Sequence, residues 1–262
     1  MKFVNDVIFK AVFTREENVE ILRYLINAIL DYREDDAITE IVVLNPFIDR
    51  EFIDDKLVIL DLKAKDSKNR IYNIEVQINP QKSYINRILF YMSKLFAEQL
   101  DSGMHYANIH KTIGISIIDE GSIFPDNELI HNTFRFRNIK TNEDLTDKME
   151  LHFIEMMKFD KNKPMELSTR FEKWLHLLKF GELYEIDYKN LPTELVAEEG
   201  IKMAYEAFKK ATSDDHLREI IRLREKARID RSFELMDARE EGKLEGKLEG
   251  KLEGKLEGKL EG

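Results

Sequence analysis

Two strand patterns joined by a short polar turn constrain this chain more than any other feature. "LVILDLKAK" (57–65) and "RIYNIEVQI" (70–78) are rich in apolar and β-branched residues, and "DSKN" between them has the composition of a turn. Each pattern nevertheless carries a carboxylate, Asp61 in the first and Glu75 in the second. Acidic residues are poor strand formers and are costly to remove from water. The segment therefore predicts a hairpin whose two acids serve a specific purpose.

Side-chain alternation places both acids on one face of this hairpin. Residues two apart on a strand share a face. The predicted shared face carries Asp61, Lys63, Lys65, Asn73, Glu75 and Gln77. A turn centred on Lys68 pairs residues whose numbers add up to about 136, by strand geometry, which puts Asp61 directly opposite Glu75. Because opposed like charges destabilise a strand pair, a positive charge must offset them.

Two kinds of positive charge satisfy this requirement. Lys63, on the same face as Asp61, could neutralise the pair in a structural ion-pair network. Alternatively, two carboxylates, a backbone carbonyl and waters form a suitable oxygen set for a hard divalent cation. Such an ion lowers the pKa of bound water and neutralises charge on a phosphoryl group during transfer. The spacing leaves both alternatives open.

The elements around the hairpin predict an α/β fold. Residues 1–32 have helical periodicity, and residues 38–48 read as a strand that precedes the hairpin. Residues 81–100 return to a helical pattern, and the continuously apolar 110–119 segment is typical of a strand covered on both faces. Helix, three strands, helix and strand describe a mixed sheet flanked by helices.

The rest of the chain differs in character. "NTFRFRNIK" could be an edge strand, "KMELHFIEMMKF" a strand or short helix, and residues 165–231 look mostly helical. From Gly242 the tetrapeptide "GKLE" occurs five times, followed by Gly262. We expect three regions: a core (1–135), a mostly helical C-terminal region (136–232) and a low-complexity tail (233–262).

The repetitive tail predicts a helix of low stability. Glycine in a helix interior costs roughly 1 kcal/mol relative to alanine, and like charges meet at i,i+4. We expect a weak or frayed helix when the tail is alone. It is either a solvated extension or an oligomerisation segment.

Composition narrows the functional class. The chain has no cysteine, which excludes disulfides and thiolate metal sites and fits a cytoplasmic protein. No apolar window is long enough to span a membrane, and the N-terminus lacks the apolar stretch of a signal peptide. The motifs of nucleotide-binding loops are absent, so we expect no nucleotide cofactor. A net charge of −10 argues against a general nucleic-acid coat but permits a local basic groove.

The order of elements and several segments together carry a family resemblance. "NDVIFKAVF", "LVILDLKAKDSKNRIYNIEVQ", "INRILFYMSKLFAEQL" and "LHFIEMMKF" resemble the PD-(D/E)XK nuclease family transposases, which are bacterial recombination-promoting nucleases. The resemblance implies a restriction-endonuclease-like core and a transposase-like DNA endonuclease that depends on Mg²⁺, with Mn²⁺ as a substitute. It also implies that Asp61, Glu75 and the Val76 carbonyl hold the metal.

In the resemblance, Gln77 matches the position that is lysine in many relatives and glutamine in this branch of the family. A lysine there would supply a charge that orients the attacking water or stabilises the phosphorane. Glutamine hydrogen-bonds water but carries no charge, so Lys63 could provide the missing cation. The alternative is a catalytically weak or inactive DNA-binding or assembly protein that keeps the nuclease fold.

Further residues are candidates for contact with DNA. Lys10 either contacts a phosphate or pairs with Asp6 one turn earlier on its helix. Arg87 and Tyr91 share a helical face directly after the hairpin, where they either contact the scissile phosphate or brace Glu75. The hairpin adds four cations: Lys63, Lys65, Lys68 and Arg70.

Two more expectations concern residues outside the hairpin. Glu155 and Lys158 lie in a segment of the resemblance, and we expect them to be structural. Cutting both strands of DNA requires two active sites, so a homodimer is plausible.

Overall fold

The computed structural model describes residues 1–44, 62–100, 103, 105–186 and 191–260. The helices are α1 (Asp6–Thr14), α2 (Val19–Ile29), α3 (Tyr84–Ala97), α4 (Arg170–Phe180), α5 (Leu183–Ile186), α6 (Thr193–Val196), α7 (Glu199–Ser213) and α8 (Asp215–Leu260). The strands are β1 (Ile41–Val43), β2 (Leu62–Asp66), β3 (Ile71–Gln77), β4 (Thr112–Ile118), β5 (His131–Arg135) and β6 (Met149–Glu155).

The strands form a mixed six-stranded sheet in the order β1-β2-β3-β4-β6-β5. The central pairs β3–β4 and β4–β6 are parallel, and the outer pairs are antiparallel. Helices flank the sheet, which confirms the predicted restriction-endonuclease-like α/β fold. "NTFRFRNIK" contributes the edge strand β5, and "KMELHFIEMMKF" contributes the inner strand β6.

The hairpin has the predicted register over its described residues. Leu62 pairs with Ile74 and Lys63 with Asn73, so paired numbers add up to 136. Asp61 lies outside the described residues, as does the rest of the predicted strand from residue 57. The position of Lys63 opposite Asn73 puts its side chain on the same sheet face as Glu75.

The N-terminal helix is broken, which corrects the continuous helix predicted for residues 1–32. Arg15 is extended, with φ −62° and ψ 142°, and a single 3₁₀ turn precedes α2. The Asn18 amide donates to the Ala11 carbonyl at 3.3 Å, and the Thr14 hydroxyl donates to the Lys10 carbonyl at 2.8 Å. Side chains thus satisfy carbonyls at the end of α1, which allows the chain to turn there.

Helix α3 packs closely on one face of the sheet. Its Tyr84, Ile88 and Met92 form a buried cluster with side chains from β4 and β6. Gly114 permits this approach, because a Cβ there would lie 2.8 Å from Leu151 Cδ2 and 2.9 Å from Met92 Sδ. This packing brings the first turn of α3 next to the polar face of β3.

The chain divides into two compact units, Met1–Leu217 and Arg218–Gly262. The first contains the whole sheet, so β6, from the predicted 136–232 region, lies beside β4, from the predicted 1–135 core. The three sequence boundaries stay a prediction.

The second unit is helical to Leu260, and the low stability expected of its glycine repeats stays a prediction. In the described part of the chain, no helix is both long and apolar enough to cross a membrane.

Candidate active site

Glu75 occupies the centre of the polar face of β3. Its side chain is buried, with 3% of its surface exposed. Strand alternation puts Asn73 and Gln77 on the same face, and the parallel register puts Ser116 of β4 beside it. A glutamate is rarely buried without compensating polar groups, so its surroundings indicate its role.

Among the described residues, side chains of β3 and α3 approach the Glu75 carboxylate. The amides of Asn73 and Gln77 each donate at 3.4 Å, and the Tyr84 hydroxyl lies 3.3 Å from Oε2. The Arg87 guanidinium forms an ion pair at 3.8 Å. All four distances exceed those of well-formed charged hydrogen bonds, which are typically about 2.7–2.9 Å.

Arg87 links the two motif residues of β3. Its guanidinium donates to Gln77 Oε1 at 2.8 Å and stacks over the Tyr84 ring at 5.0 Å from the centroid. With 44% of its side chain exposed, Arg87 also faces solvent. The structure therefore brings a positive charge to Gln77, the residue predicted to match the lysine position of the family motif.

Tyr84 and Ser116 are site residues that the sequence interpretation missed. The Tyr84 hydroxyl lies 2.7 Å from Ser116 Oγ as well as near Glu75. Burial first, and then the Glu75 carboxylate, raise the pKa of Tyr84 above its ordinary value, so its hydroxyl stays protonated. Tyr84 lies one helical turn before Arg87, and Ser116 interrupts the apolar "TIGISII" strand. Both signals were present in the sequence.

Of the other residues predicted to bind metal or take part in catalysis, the structure describes two and leaves one outside its described ranges. Lys63 is half-buried on the polar face, across from Asn73. Val76 is half-buried and pairs with Ile117 of β4. Its side chain lies on the opposite face from that of Glu75, and its carbonyl belongs to the peptide bond that joins it to Gln77. Asp61 lies outside the described residues, and its role stays a prediction.

The predicted DNA contacts differ in exposure. Arg87 joins the site, whereas Tyr91, one turn further along α3, is half-buried with its ring 5.9 Å from that of Phe90. Lys10 on α1 has only 7% of its surface exposed. Arg70 is buried and donates to Asp66 at 2.5 Å, which removes it from the candidate phosphate contacts.

Glu155 and Lys158 hold a loop in place, as the structural interpretation expected. Glu155 Oε1 accepts hydrogen bonds from Ser122 Oγ at 2.7 Å and from the Ile123 and Phe124 amides at 2.6 and 3.2 Å. Its Oε2 pairs with Lys158 Nζ at 2.5 Å. Burial opposes ionisation of Glu155, but the hydrogen bonds from Lys158 and Ser122 outweigh it and lower its pKa.

Two described side chains on the polar face of β3 carry oxygen atoms that can bind a hard divalent cation. Across the described ranges, no three or more His, Cys, Asp or Glu side chains come together as a metal-binding group. Asp61 falls outside those ranges. The Glu75 carboxylate and the side-chain carbonyl of Asn73 are oxygen donors, and Asn73 Oδ1 is buried with no hydrogen-bond partner among the described residues. Oxygen ligands of this kind are those that Mg²⁺ and Mn²⁺ prefer.

Comparison with known proteins assigns the chain to a family. The model of the PD-(D/E)XK nuclease family transposases matches residues 3–238, which include the sheet, α3 and the polar face of β3. No curated protein and no solved structure matches the chain. A family model that covers all but the ends of the chain, on a mixed sheet carrying Glu75-Val76-Gln77 on β3, leads to one conclusion: the chain belongs to the PD-(D/E)XK nuclease family transposases.

Proposed function

We propose that this protein is a Mg²⁺-dependent DNA endonuclease that cleaves phosphodiester bonds and promotes recombination in a transposase-like role. Family membership supports a nuclease, a divalent metal and a DNA substrate. The observation that carries the finer proposal is the buried Glu75 carboxylate with Gln77 and Arg87 around it. These groups occupy the second half of the family motif and the helix that follows it.

Asp61, Glu75 and the Val76 carbonyl would hold the ion, with Mn²⁺ able to replace Mg²⁺. When bound, the ion supplies a more acidic water and neutralises charge on the phosphoryl group. Asn73, Gln77 and Tyr84 hold the Glu75 carboxylate in place. Because the Tyr84 hydroxyl stays protonated, it donates to this carboxylate and does not compete with it for a proton.

Gln77 positions the attacking water in this proposal. Its Oε1 accepts from Arg87 and its Nε2 donates to Glu75, so both ends of the amide are oriented. An oriented amide directs a water by hydrogen bonding without supplying charge.

Arg87 supplies the positive charge that lysine supplies in many relatives. Its guanidinium contacts Gln77, lies within ion-pair distance of Glu75 and is 44% exposed, so a bound phosphate can reach it. Arginine also binds phosphate oxygens in a bidentate manner, which suits stabilisation of developing charge. Lys63, on the same face, is the second candidate for this charge.

The proposal extends to assembly and location. Cutting both strands requires two active sites, so we propose a homodimer when the product is a double-strand break. The absence of cysteine from the sequence fits a reducing cytoplasm.

A second candidate function is a DNA-binding or assembly protein with little or no activity. The observation that favours it is Gln77, which has no charge at the lysine position. Such a protein would bind DNA equally well with or without a divalent ion.

Cleavage of supercoiled plasmid tests the proposal. The wild-type chain is assayed with Mg²⁺, Mn²⁺ or EDTA, beside Asp61→Asn and Glu75→Gln, with Glu98→Gln as a control. Glu98 is exposed and pairs with Lys94 near the end of α3. We expect cutting that requires Mg²⁺ or Mn²⁺, disappears in both site variants and persists in the control. Equal cutting by all variants, or no cutting with any ion, would contradict the proposal and favour the DNA-binding candidate.

A further inference from the structure

Three asparagines are buried in the described part of the chain, and one differs from the others. Asn27 accepts from the Ile38 amide at 2.8 Å and donates to the Ile38 carbonyl at 3.0 Å. Asn132 accepts from Asn127 at 3.0 Å and donates to the Leu129 carbonyl at 3.2 Å. In both, each end of the side-chain amide is satisfied.

Asn73 is completely buried, with 0% of its surface exposed, and its amide is satisfied at one end only. Its Nδ2 donates to Glu75 Oε1 at 3.4 Å, while its Oδ1 has no hydrogen-bond partner in the described structure. A buried carbonyl without a partner costs roughly 1–3 kcal/mol. A cation bound at Oδ1 would offset this cost.

The orientation of the Asn73 amide follows from its neighbour. A carboxylate oxygen accepts hydrogen bonds, so the NH₂ end of the Asn73 amide, and not its oxygen, faces Glu75 Oε1. Rotating the amide by 180° would place two acceptors against each other. The free oxygen is therefore a property of the site.

We propose that Asn73 Oδ1 is a further ligand of a divalent cation held beside Glu75. The inference rests on the proposed function, because it adds a ligand to the same metal centre. Asn73 shares the polar face of β3 with Glu75, two residues away, and a side-chain carbonyl is a ligand that Mg²⁺, Mn²⁺ and Ca²⁺ accept.

The choice of asparagine over aspartate has an electrostatic reason. A neutral oxygen adds a ligand without placing a second negative charge next to the buried Glu75 carboxylate. An aspartate at this position would carry that charge whenever the ion is absent. Asparagine therefore makes the metal-free fold less costly than aspartate would.

Calorimetric titration of the full chain with Mn²⁺ alone tests the ligand. The wild type is compared with Asn73→Leu, which keeps the volume and removes the oxygen, and with Asn132→Leu as the matched control. Asn132 is also buried in the sheet, but both ends of its amide are satisfied by protein. We expect Asn73→Leu to weaken Mn²⁺ binding about 10-fold or more, and Asn132→Leu to leave it unchanged. Wild-type affinity in Asn73→Leu would overturn the inference.

The melting temperature of a second variant tests the inference even if Asn73→Leu does not fold. Asn73→Asp keeps an oxygen but adds a charge, so its melting temperature should fall without metal and rise with Mn²⁺ by more than that of the wild type. An equal or smaller rise would overturn the inference.

The same titration separates this inference from the proposed function. If the wild type binds Mn²⁺ and Glu75→Gln does not, the metal centre stands, and Asn73→Leu alone decides the role of Asn73. If the wild type binds no Mn²⁺, both the metal centre and its additional ligand are wrong.

Discussion

Glu75 and Glu155 are two buried glutamates on strands that flank β4, and they are held in different ways. The Glu155 carboxylate accepts hydrogen bonds from the 122–124 segment and pairs with Lys158, at distances from 2.5 to 3.2 Å. The contacts that reach Glu75 from four neighbouring side chains are 3.3–3.8 Å long.

The difference shows that burial alone does not separate a structural glutamate from one proposed to bind metal. Glu155 is oriented by the 122–124 segment and neutralised by Lys158, which makes it a structural anchor. Glu75 is surrounded by side chains that orient it at longer range, one of which, Arg87, is exposed to solvent. The surroundings of Glu155 are those of a structural anchor, whereas Glu75 is the residue that we propose as a metal ligand.

The largest expected effect comes from Glu75→Gln. Loss of the carboxylate should reduce plasmid cleavage by at least about 1,000-fold, because metal-assisted charge stabilisation contributes several kcal/mol to the barrier. The free energy of unfolding should change by less than about 1 kcal/mol, since glutamine keeps the volume and removes a buried charge. Cleavage rates and urea denaturation measure the two effects. If Glu75→Gln unfolds, Glu75 has a structural role like that of Glu155.

The next largest effect is on stability, at the other glutamate. Lys158→Met leaves the Glu155 charge buried without its cation, so the free energy of unfolding should fall by about 3 kcal/mol. Lys94→Met, which breaks an exposed pair with Glu98, should change it by less than about 1 kcal/mol. Urea denaturation of both variants checks this. Equal stabilities would remove the distinction between an anchor and a surface pair.

Arg87→Ala should reduce cleavage about 100-fold with little loss of stability. The guanidinium contacts Gln77 and faces solvent, so its removal deletes charge from the site without opening the core. Lys94→Ala, on the same helix, serves as the control and should cut at the wild-type rate. If Arg87→Ala retains full activity, Lys63 becomes the better candidate for the missing cation.

Two histidines near a third buried glutamate, Glu150, should make the stability of the protein depend on pH. Glu150 pairs with Lys111 and Arg135 at 2.5 Å and lies 3.6 Å from His152, which in turn lies 2.8 Å from His131. Burial first, and then His152, lower the pKa of His131 from 6.5 to about 4. The unfolded chain therefore binds a proton at pH 5 that the folded chain does not.

Stability should consequently fall as the pH drops from 7 to 5, and His131 should account for about 2 kcal/mol of that loss. His131→Gln should remove this share, whereas the exposed His216→Gln should retain it. Urea denaturation at both pH values provides the measurement. An unchanged pH dependence in His131→Gln would assign the loss to other groups.

Local sequence patterns predicted much of the fold. The hairpin register followed from alternation and the position of the turn, and the strand at 110–119 followed from its apolar run. The helix break at Arg15 did not, because hydrophobic periodicity continues across it while the backbone turns. Periodicity reports which face is buried and is insensitive to a short interruption.

The sequence by itself determined the polar face of β3, with Glu75 and Gln77 on it, since side-chain alternation depends on neighbours within one strand. Only the tertiary structure decided which groups surround them. Tyr84 and Arg87 reach Glu75 because α3 packs closely over Gly114, and Ser116 arrives through the parallel pairing of β3 with β4. Among the residues that the structure describes, one end of the Asn73 amide has no partner. Contacts of this kind depend on how separate elements meet, which local pattern does not encode.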